Sequence, residues 1–173
     1  DIIYNKAQSS QVIMLTSAVP GAGKTFVSAN LAMSFALLHK KVILLDLDMR
    51  KGTLSSYINN SYSGISTFLS GKVNEINEII IKKALHETLD FISAGPISQN
   101  PSELLISNRF DILIQDLKKH YDYIILDNAT ANVVADATIV NRISDLSIFI
   151  IRAGKMDRRQ LPELEKQYQQ NKY

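Results

Sequence analysis

Gln11-Val12-Ile13-Met14-Leu15-Thr16-Ser17-Ala18-Val19-Pro20-Gly21-Ala22-Gly23-Lys24-Thr25 is the stretch on which the rest of the chain is read. Its apolar front, Gln11 to Thr16, has the length and composition of a buried strand. A glycine-rich turn follows. From Lys24 to Leu38, apolar residues return at Val27, Leu31, Phe35 and Leu38, which is helical spacing. Strand, glycine-rich turn and helix in that order form the phosphate-cradling pattern G-x-x-x-x-G-K-[ST]. Ala18 stands where the pattern has its first glycine, while Gly23-Lys24-Thr25 is intact. Gly21 and Gly23 permit a tight loop whose N–H groups turn inward. The helix start aims its positive end at the same place. Lys24 is expected on the β- and γ-phosphates, and the Thr25 hydroxyl on magnesium. Pro20, Gly21, Ala22, Gly23, Lys24, Thr25 and Phe26 are the candidate nucleotide-binding run. A strand-to-helix turn with an incidental lysine is the plainer alternative, and the setting between a strand and an amphipathic helix argues against it.

Outward from this run, strands and helices alternate. Val42 to Leu45 reads as a second strand, followed by a softer region of short helices punctuated by Gly52, Gly64 and Gly71. Leu89 to Ala94 reads as a third strand. Asn100-Pro101-Ser102-Glu103 reads as a helix start, with Asn100 as cap, Pro101 in the first turn and Glu103 completing a capping box. Phe110, Leu113, Ile114 and Leu117 form one apolar stripe. Tyr123 to Leu126 and Leu146 to Ile151 are two more strands, and a last helix is expected from about Arg158. Near-continuous apolar strands between helices imply an α/β fold of the P-loop NTPase-like kind. Its sheet would be mostly parallel, with helices on both faces. Ligands of such sheets bind at the carboxyl ends of the strands.

Carboxylates gather at those ends. The second strand runs out in Asp46-Leu47-Asp48-Met49-Arg50, where Asp46 and Asp48 would share one side of an extended chain. The strand from Tyr123 runs out in Asp127. A lone Asp after a strand is usually a turn residue, but three beside a phosphate loop suit magnesium, which takes oxygen ligands and keeps several waters. Asp46, Asp48 and Asp127 are therefore the candidate metal and catalytic carboxylates, with Thr25 as a further metal ligand and Lys24 as a catalytic cation. Arg152, at the end of a strand on the presumed nucleotide side, is a candidate contact to the base. His39, His86 and His120 lack metal-ligand spacing and read as surface residues. Tyr121 and Tyr123 read as packing residues.

Bulk properties set limits. The 173 residues fit one domain spanning 1–173. A net charge of +2 is too small to argue for nucleic acid. The absence of cysteine excludes disulfides and thiolate metal sites. No apolar run approaches the roughly 18 residues of a membrane span, and Asp1 to Lys6 does not have the form of a signal peptide.

With these residues in hand, the chain resembles the bacterial tyrosine kinases of capsule and exopolysaccharide synthesis. Pro20 to Thr25 is similar to their phosphate loop. Ile43 to Arg50 is similar to their second motif, an apolar run followed by Asp-x-Asp-x-Arg, and Ile124 to Asp127 to their Walker B strand. Gly95-Pro96-Ile97-Ser98-Gln99-Asn100-Pro101-Ser102-Glu103-Leu104-Leu105 resembles the family's Gly-Pro-x-Pro-x-Asn-Pro-x-Glu-Leu-Leu segment, and Asp136 fits a further position. The resemblance implies ATP, magnesium, γ-phosphoryl transfer to tyrosine and release of ADP. It implies as partners the tyrosine-rich tail of the chain itself or of a neighbouring subunit, a transmembrane polysaccharide co-polymerase region, fused or separate, and a ring-shaped homo-oligomer. The setting it implies is the cytoplasm at the inner face of the bacterial membrane.

The match has gaps. The family reads Asp-Thr-Pro-Pro or Asp-Thr-Ala-Pro after its Walker B strand, where this chain has Asp127-Asn128-Ala129-Thr130. The family's leading oligomerisation helix, last strand and tyrosine-rich tail are expected outside this chain, and Tyr168 reads as an ordinary helix residue. Two other readings remain at this point. A Min- or Par-type ATPase shares the fold but carries a signature lysine where this chain has Val19. A non-catalytic nucleotide sensor of a polysaccharide export assembly would tolerate the altered loop after Asp127.

Overall fold

The computed structural model describes residues 10–58, 62–129, 139–162 and 165–166. Thr130, Asp136, Tyr168 and Tyr173 lie outside these residues. The elements in chain order are β1 (Gln11–Ser17), α1 (Lys24–Leu37), β2 (Val42–Asp46), α2 (Thr53–Ser56), α3 (Ile65–Leu69), β3 (Ile80–His86), β4 (Leu89–Ile92), α4 (Pro101–Ile106), α5 (Asn108–Leu117), β5 (Tyr123–Asp127) and β6 (Leu146–Ile150), with short 3₁₀ turns at Ile76–Glu78 and Arg158–Gln160.

Six strands form one sheet in the order β3-β4-β2-β5-β1-β6. Every pairing is parallel except the antiparallel β3–β4 pair. The central strands are buried throughout, so their side chains alternate between two apolar layers rather than between core and water. Val12, Met14, Ile43, Leu45, Ile124 and Leu126 face one layer, which α5 covers with Phe110, Leu113, Ile114 and Leu117. Ile13, Leu15, Val42, Leu44, Phe91 and Ile125 face the other, beneath α1. The expected stripe on α5 is thus the observed one.

On α1 the buried residues are Lys24, Ser28, Ala32, Phe35 and Ala36. Of the expected series, Phe35 is buried and Val27 and Leu31 are partly buried against the same core, while Leu38 is half exposed beyond the helix end. Small side chains at Ser28, Ala32 and Ala36 let this helix lie close on the sheet. Phe35 then stacks flat on Tyr123, with ring centroids 4.0 Å apart and planes 3° apart.

β3 was not foreseen. Its central residues Lys82 and Lys83 are exposed, and its pairing with β4 shifts register between Ile81 and His86, with Lys83 at φ 53°. An edge strand of this kind is marked only by the short run Ile79-Ile80-Ile81, which Lys82 and Lys83 interrupt. The capping box at α4 also differs from expectation. Pro101 does occupy the first turn, but the Asn100 side chain makes no cap bond and instead donates to the Glu103 carboxylate at 2.7 Å.

Candidate nucleotide and phosphate site

The glycine-rich turn joins β1 to α1, and α1 begins directly at Lys24 behind Gly23. Gly21 and Gly23 hold φ values of 73° and 99°. Those angles are strained for any residue with a Cβ, although a Cβ at either position would meet nothing within 4 Å. Their requirement is therefore conformational, and it leaves the backbone open to a close ligand.

At the carboxyl end of β5, Asp127 gathers the first turns of α1. Lys24 Nζ lies 3.3 Å from Oδ1, the Thr25 hydroxyl donates to Oδ2 at 2.8 Å, and the Ser28 hydroxyl lies 2.9 Å from Oδ1. Asp127 and Lys24 are both buried. A buried ion pair is a poor way to gain stability, since desolvation offsets most of the attraction; its presence at strand and helix ends marks a site. Ser28 was missed by the sequence reading. Its position four residues after Lys24 places both on one helix face, which was the available signal.

Asp46 lies beside Asp127 in register, β2 against β5. It is fully buried. Its Oδ2 accepts from both the amide (2.8 Å) and the hydroxyl (2.7 Å) of Ser55, and its Oδ1 accepts from the Asp48 amide at 3.0 Å. Burial pushes its carboxyl up to about 6, against the lowering effect of these bonds, and the nearby Asp127 charge adds to the rise.

Asp48 behaves differently. β2 ends at Asp46, so the alternation that would place Asp46 and Asp48 on one side does not extend to Asp48. Its Oδ1 caps the following turn, accepting from the amides of Arg50 (3.3 Å) and Lys51 (3.1 Å).

Among the described residues no three carboxylate or histidine side chains converge as a metal cage. The oxygen donors of Thr25, Asp127 and Asp46 nonetheless suit magnesium, which is commonly held by one or two carboxylates together with substrate phosphates and waters. Arg152 is exposed and donates to the Gly21 carbonyl at 3.1 Å, which ties the end of β6 to the glycine turn. Phe26 is largely exposed, and Ala22 is buried. Asn128 is fully buried. Its amide donates to Leu15 O, its side-chain nitrogen lies 3.7 Å from Met14 Sδ, and its Oδ1 accepts from the Ala129 amide at 2.9 Å. At this position the altered loop is thus packed into the core beneath the sheet end.

A second polar cluster lies at the opposite, amino-terminal end of the strands. Asp90 Oδ2 accepts from the Tyr121 hydroxyl at 2.6 Å and from Lys82 Nζ at 2.9 Å, while Oδ1 accepts from the Lys83 amide at 2.8 Å. Burial and the Asp90 carboxylate push the Tyr121 phenol up to about 12. This cluster anchors β3 to the sheet and was not legible in the sequence.

Comparison with known proteins agrees with the geometry. The model of the AAA domain family matches residues 10–164. The tyrosine-protein kinase CpsD of Streptococcus pneumoniae is 35% identical over 162 residues, covering 92% of this chain and 70% of that protein. The tyrosine-protein kinase wzc of Salmonella typhimurium is 40% identical over 144 residues, covering 83% of this chain but 20% of that protein. Among solved structures, the kinase domain of the Escherichia coli tyrosine kinase ETK superposes with a TM-score of 0.85 at 32% identity, over 94% of this chain and 63% of that one.

Proposed function

The chain belongs to the bacterial tyrosine kinases built on the P-loop AAA domain, and from that membership we propose that residues 1–173 form a catalytic domain that binds ATP with magnesium and transfers the γ-phosphoryl group to tyrosine. The observation that carries this reading is the cluster at Asp127. There a buried lysine and two hydroxyls from the first turns of α1 meet the end of β5, beside the glycine turn and next to Asp46.

Lys24 and the inward amides of the Gly21–Thr25 turn hold the β- and γ-phosphates. Thr25, Asp127 and Asp46, with Asp48 through its waters, are the residues that would hold magnesium. When bound, the ion neutralises charge on the phosphate oxygens. The tyrosine oxygen forms a bond to the γ-phosphorus, the bond from that phosphorus to the ADP oxygen breaks, and the phenolic proton passes to a carboxylate of the Asp46–Asp48 segment. Phosphoryl transfer of this kind depends mainly on positioning and charge, which a rigid sheet end supplies. Phe26 and Arg152, which flank the turn, would border the nucleotide.

In the cell, the acceptor is a tyrosine-rich tail of the same or a neighbouring subunit within a homo-oligomeric ring, and the role is control of capsule or exopolysaccharide synthesis. Among the described residues no helix is long and apolar enough to cross a membrane. Attachment to the inner face of the membrane then falls to the co-polymerase region, on the same chain or a separate one.

The reading is tested by incubating the complete protein, its tyrosine-rich tail included, with ATP and magnesium and weighing it intact, with Lys24→Met alongside. Phosphotyrosine that appears in the parent and not in the variant supports it. Bound nucleotide with no added phosphate in either protein overturns it.

A further inference from the structure

Ser55 touches both the Asp46 carboxylate and the end of β4. Its hydroxyl lies 2.7 Å from Asp46 Oδ2 and 2.8 Å from the Ala94 amide nitrogen. A hydroxyl has one proton, and an amide N–H can only donate. The Ser55 proton is therefore committed to Asp46, and its lone pair receives Ala94. The Ser55 amide donates to the same Asp46 oxygen at 2.8 Å. Oδ2 accordingly carries two hydrogen bonds and is saturated. Among the described residues Oδ1 carries one, from the Asp48 amide, which leaves it a further acceptor direction.

The local chain is built to put Ser55 there. Gly52 stands at φ 56°, and its amide donates to the Asp48 carbonyl at 2.7 Å, which turns the chain back over the end of β2. The four-residue helix α2 that follows is far too short to hold itself, so these contacts hold it. Ser55 is buried within it. Past Ala94, the chain is stitched to the same region: Ser98 donates from its amide to Met49 O at 3.1 Å, and Ser66 to Ala94 O at 3.0 Å.

We propose that Ser55 is a positioning residue of the phosphoryl-transfer site: it locks Oδ2 of Asp46 and so fixes Oδ1 as the oxygen that meets the metal's water shell. The inference rests on the role proposed above for Asp46, and it ties the orientation of that carboxylate to the loop that follows β4.

The test compares the full chain with Ser55→Ala and Ser55→Thr. Binding of a fluorescent ADP analogue is measured with and without magnesium, and phosphotyrosine formation is timed in parallel. Without magnesium the three proteins bind alike, within about twofold. Magnesium tightens binding in the parent and in Ser55→Thr, while in Ser55→Ala the tightening is smaller by about tenfold. The kcat of Ser55→Ala falls by about 10- to 100-fold, as misplacement of a reacting group costs, and its KM for ATP in magnesium rises by up to about tenfold with the weaker magnesium-dependent binding. Full magnesium-dependent tightening and full kcat in Ser55→Ala overturn the proposal. So does a Ser55→Thr variant that folds and is as impaired as Ser55→Ala. If the parent forms no phosphotyrosine, the kinase reading falls, and the binding arm still decides the role of Ser55.

Discussion

Replacing Asp46 with asparagine separates the cost of this carboxylate to the fold from its use in the reaction. Burial raises the Asp46 carboxyl from 3.8 to about 6. Its folded-state value lies above its unfolded one, so the extra stability of the protonated form is whole below about pH 4 and is lost as the pH rises through about 6. A shift of this size corresponds to about 3 kcal/mol by pH 7.5, at 1.36 kcal/mol for each pKa unit. Asparagine is neutral at every pH, and its carbonyl can accept both Ser55 bonds. Its amide would instead face the Asp48 N–H as a second donor, which costs about 1–2 kcal/mol. The variant is therefore expected to be more stable than the parent by about 1–2 kcal/mol at pH 7.5, or a few degrees in Tm for a chain of this size. The advantage disappears, or reverses, at pH 4. Urea unfolding at the two pH values, without nucleotide or magnesium, measures both numbers, and phosphotyrosine formation should fall sharply in the same variant. An Asp46→Asn protein less stable than its parent at pH 7.5, or a difference that does not change with pH, would refute the reasoning about burial.

Three further outcomes follow from the geometry. Ser28→Ala removes a buried hydroxyl from Asp127 and should lower stability by about 1–2 kcal/mol in urea unfolding, with slower phosphoryl transfer; an unchanged midpoint would show that Lys24 and Thr25 suffice. Tyr121→Phe should cost about 1–2 kcal/mol through the lost bond to Asp90. In the parent, that phenol's stabilising contribution is whole below pH 10 and is lost as the pH rises through about 12, so an alkaline absorbance titration should show one late tyrosine that is missing in the variant. Gly64→Ala places a Cβ 2.3 Å from the Ser93 carbonyl oxygen, which the Ile65 amide at the start of α3 also bonds at 2.8 Å, and should destabilise the protein by about 2–3 kcal/mol, read as a fall in Tm; parent-like stability would mean that the start of α3 does not lie against the residue after β4.

The parts of the fold visible in the sequence were those with a physical signature in one dimension. Central strands buried on both faces, such as Ile43 to Leu45 and Ile124 to Leu126, must be apolar without interruption, and they stand out. β3 does not, because a strand at the sheet edge can carry Lys82 and Lys83 in water and bend at a bulge. The α1 stripe is seen only in part: Val27, Leu31 and Phe35 do pack on the core, but close packing on the sheet also selects Ser28, Ala32 and Ala36, which a search for large apolar residues passes over. The same distinction applies to the site. Lys24, Thr25, Asp46 and Asp127 lie in motifs whose spacing follows from the shape of a phosphate loop and the ends of strands. Ser28 reaches Asp127 from 99 residues away, besides the carbonyl of Lys24 one turn back, and Ser55 reaches Asp46 only because the chain turns back over the end of β2; a serine in a sequence does not show which carboxylate it will meet. Asp48 was grouped with Asp46 by strand alternation, and the strand ends before reaching it.

The central claim is that the phosphoryl group goes to a phenol and not to water. A single-turnover experiment with ATP labelled in its γ-phosphate, magnesium and the complete protein follows the fate of that label directly. The account predicts that most of the label is found on protein tyrosine and that Lys24→Met abolishes the transfer. Label released as free phosphate, with none on tyrosine, would make the protein an ATPase and contradict the account.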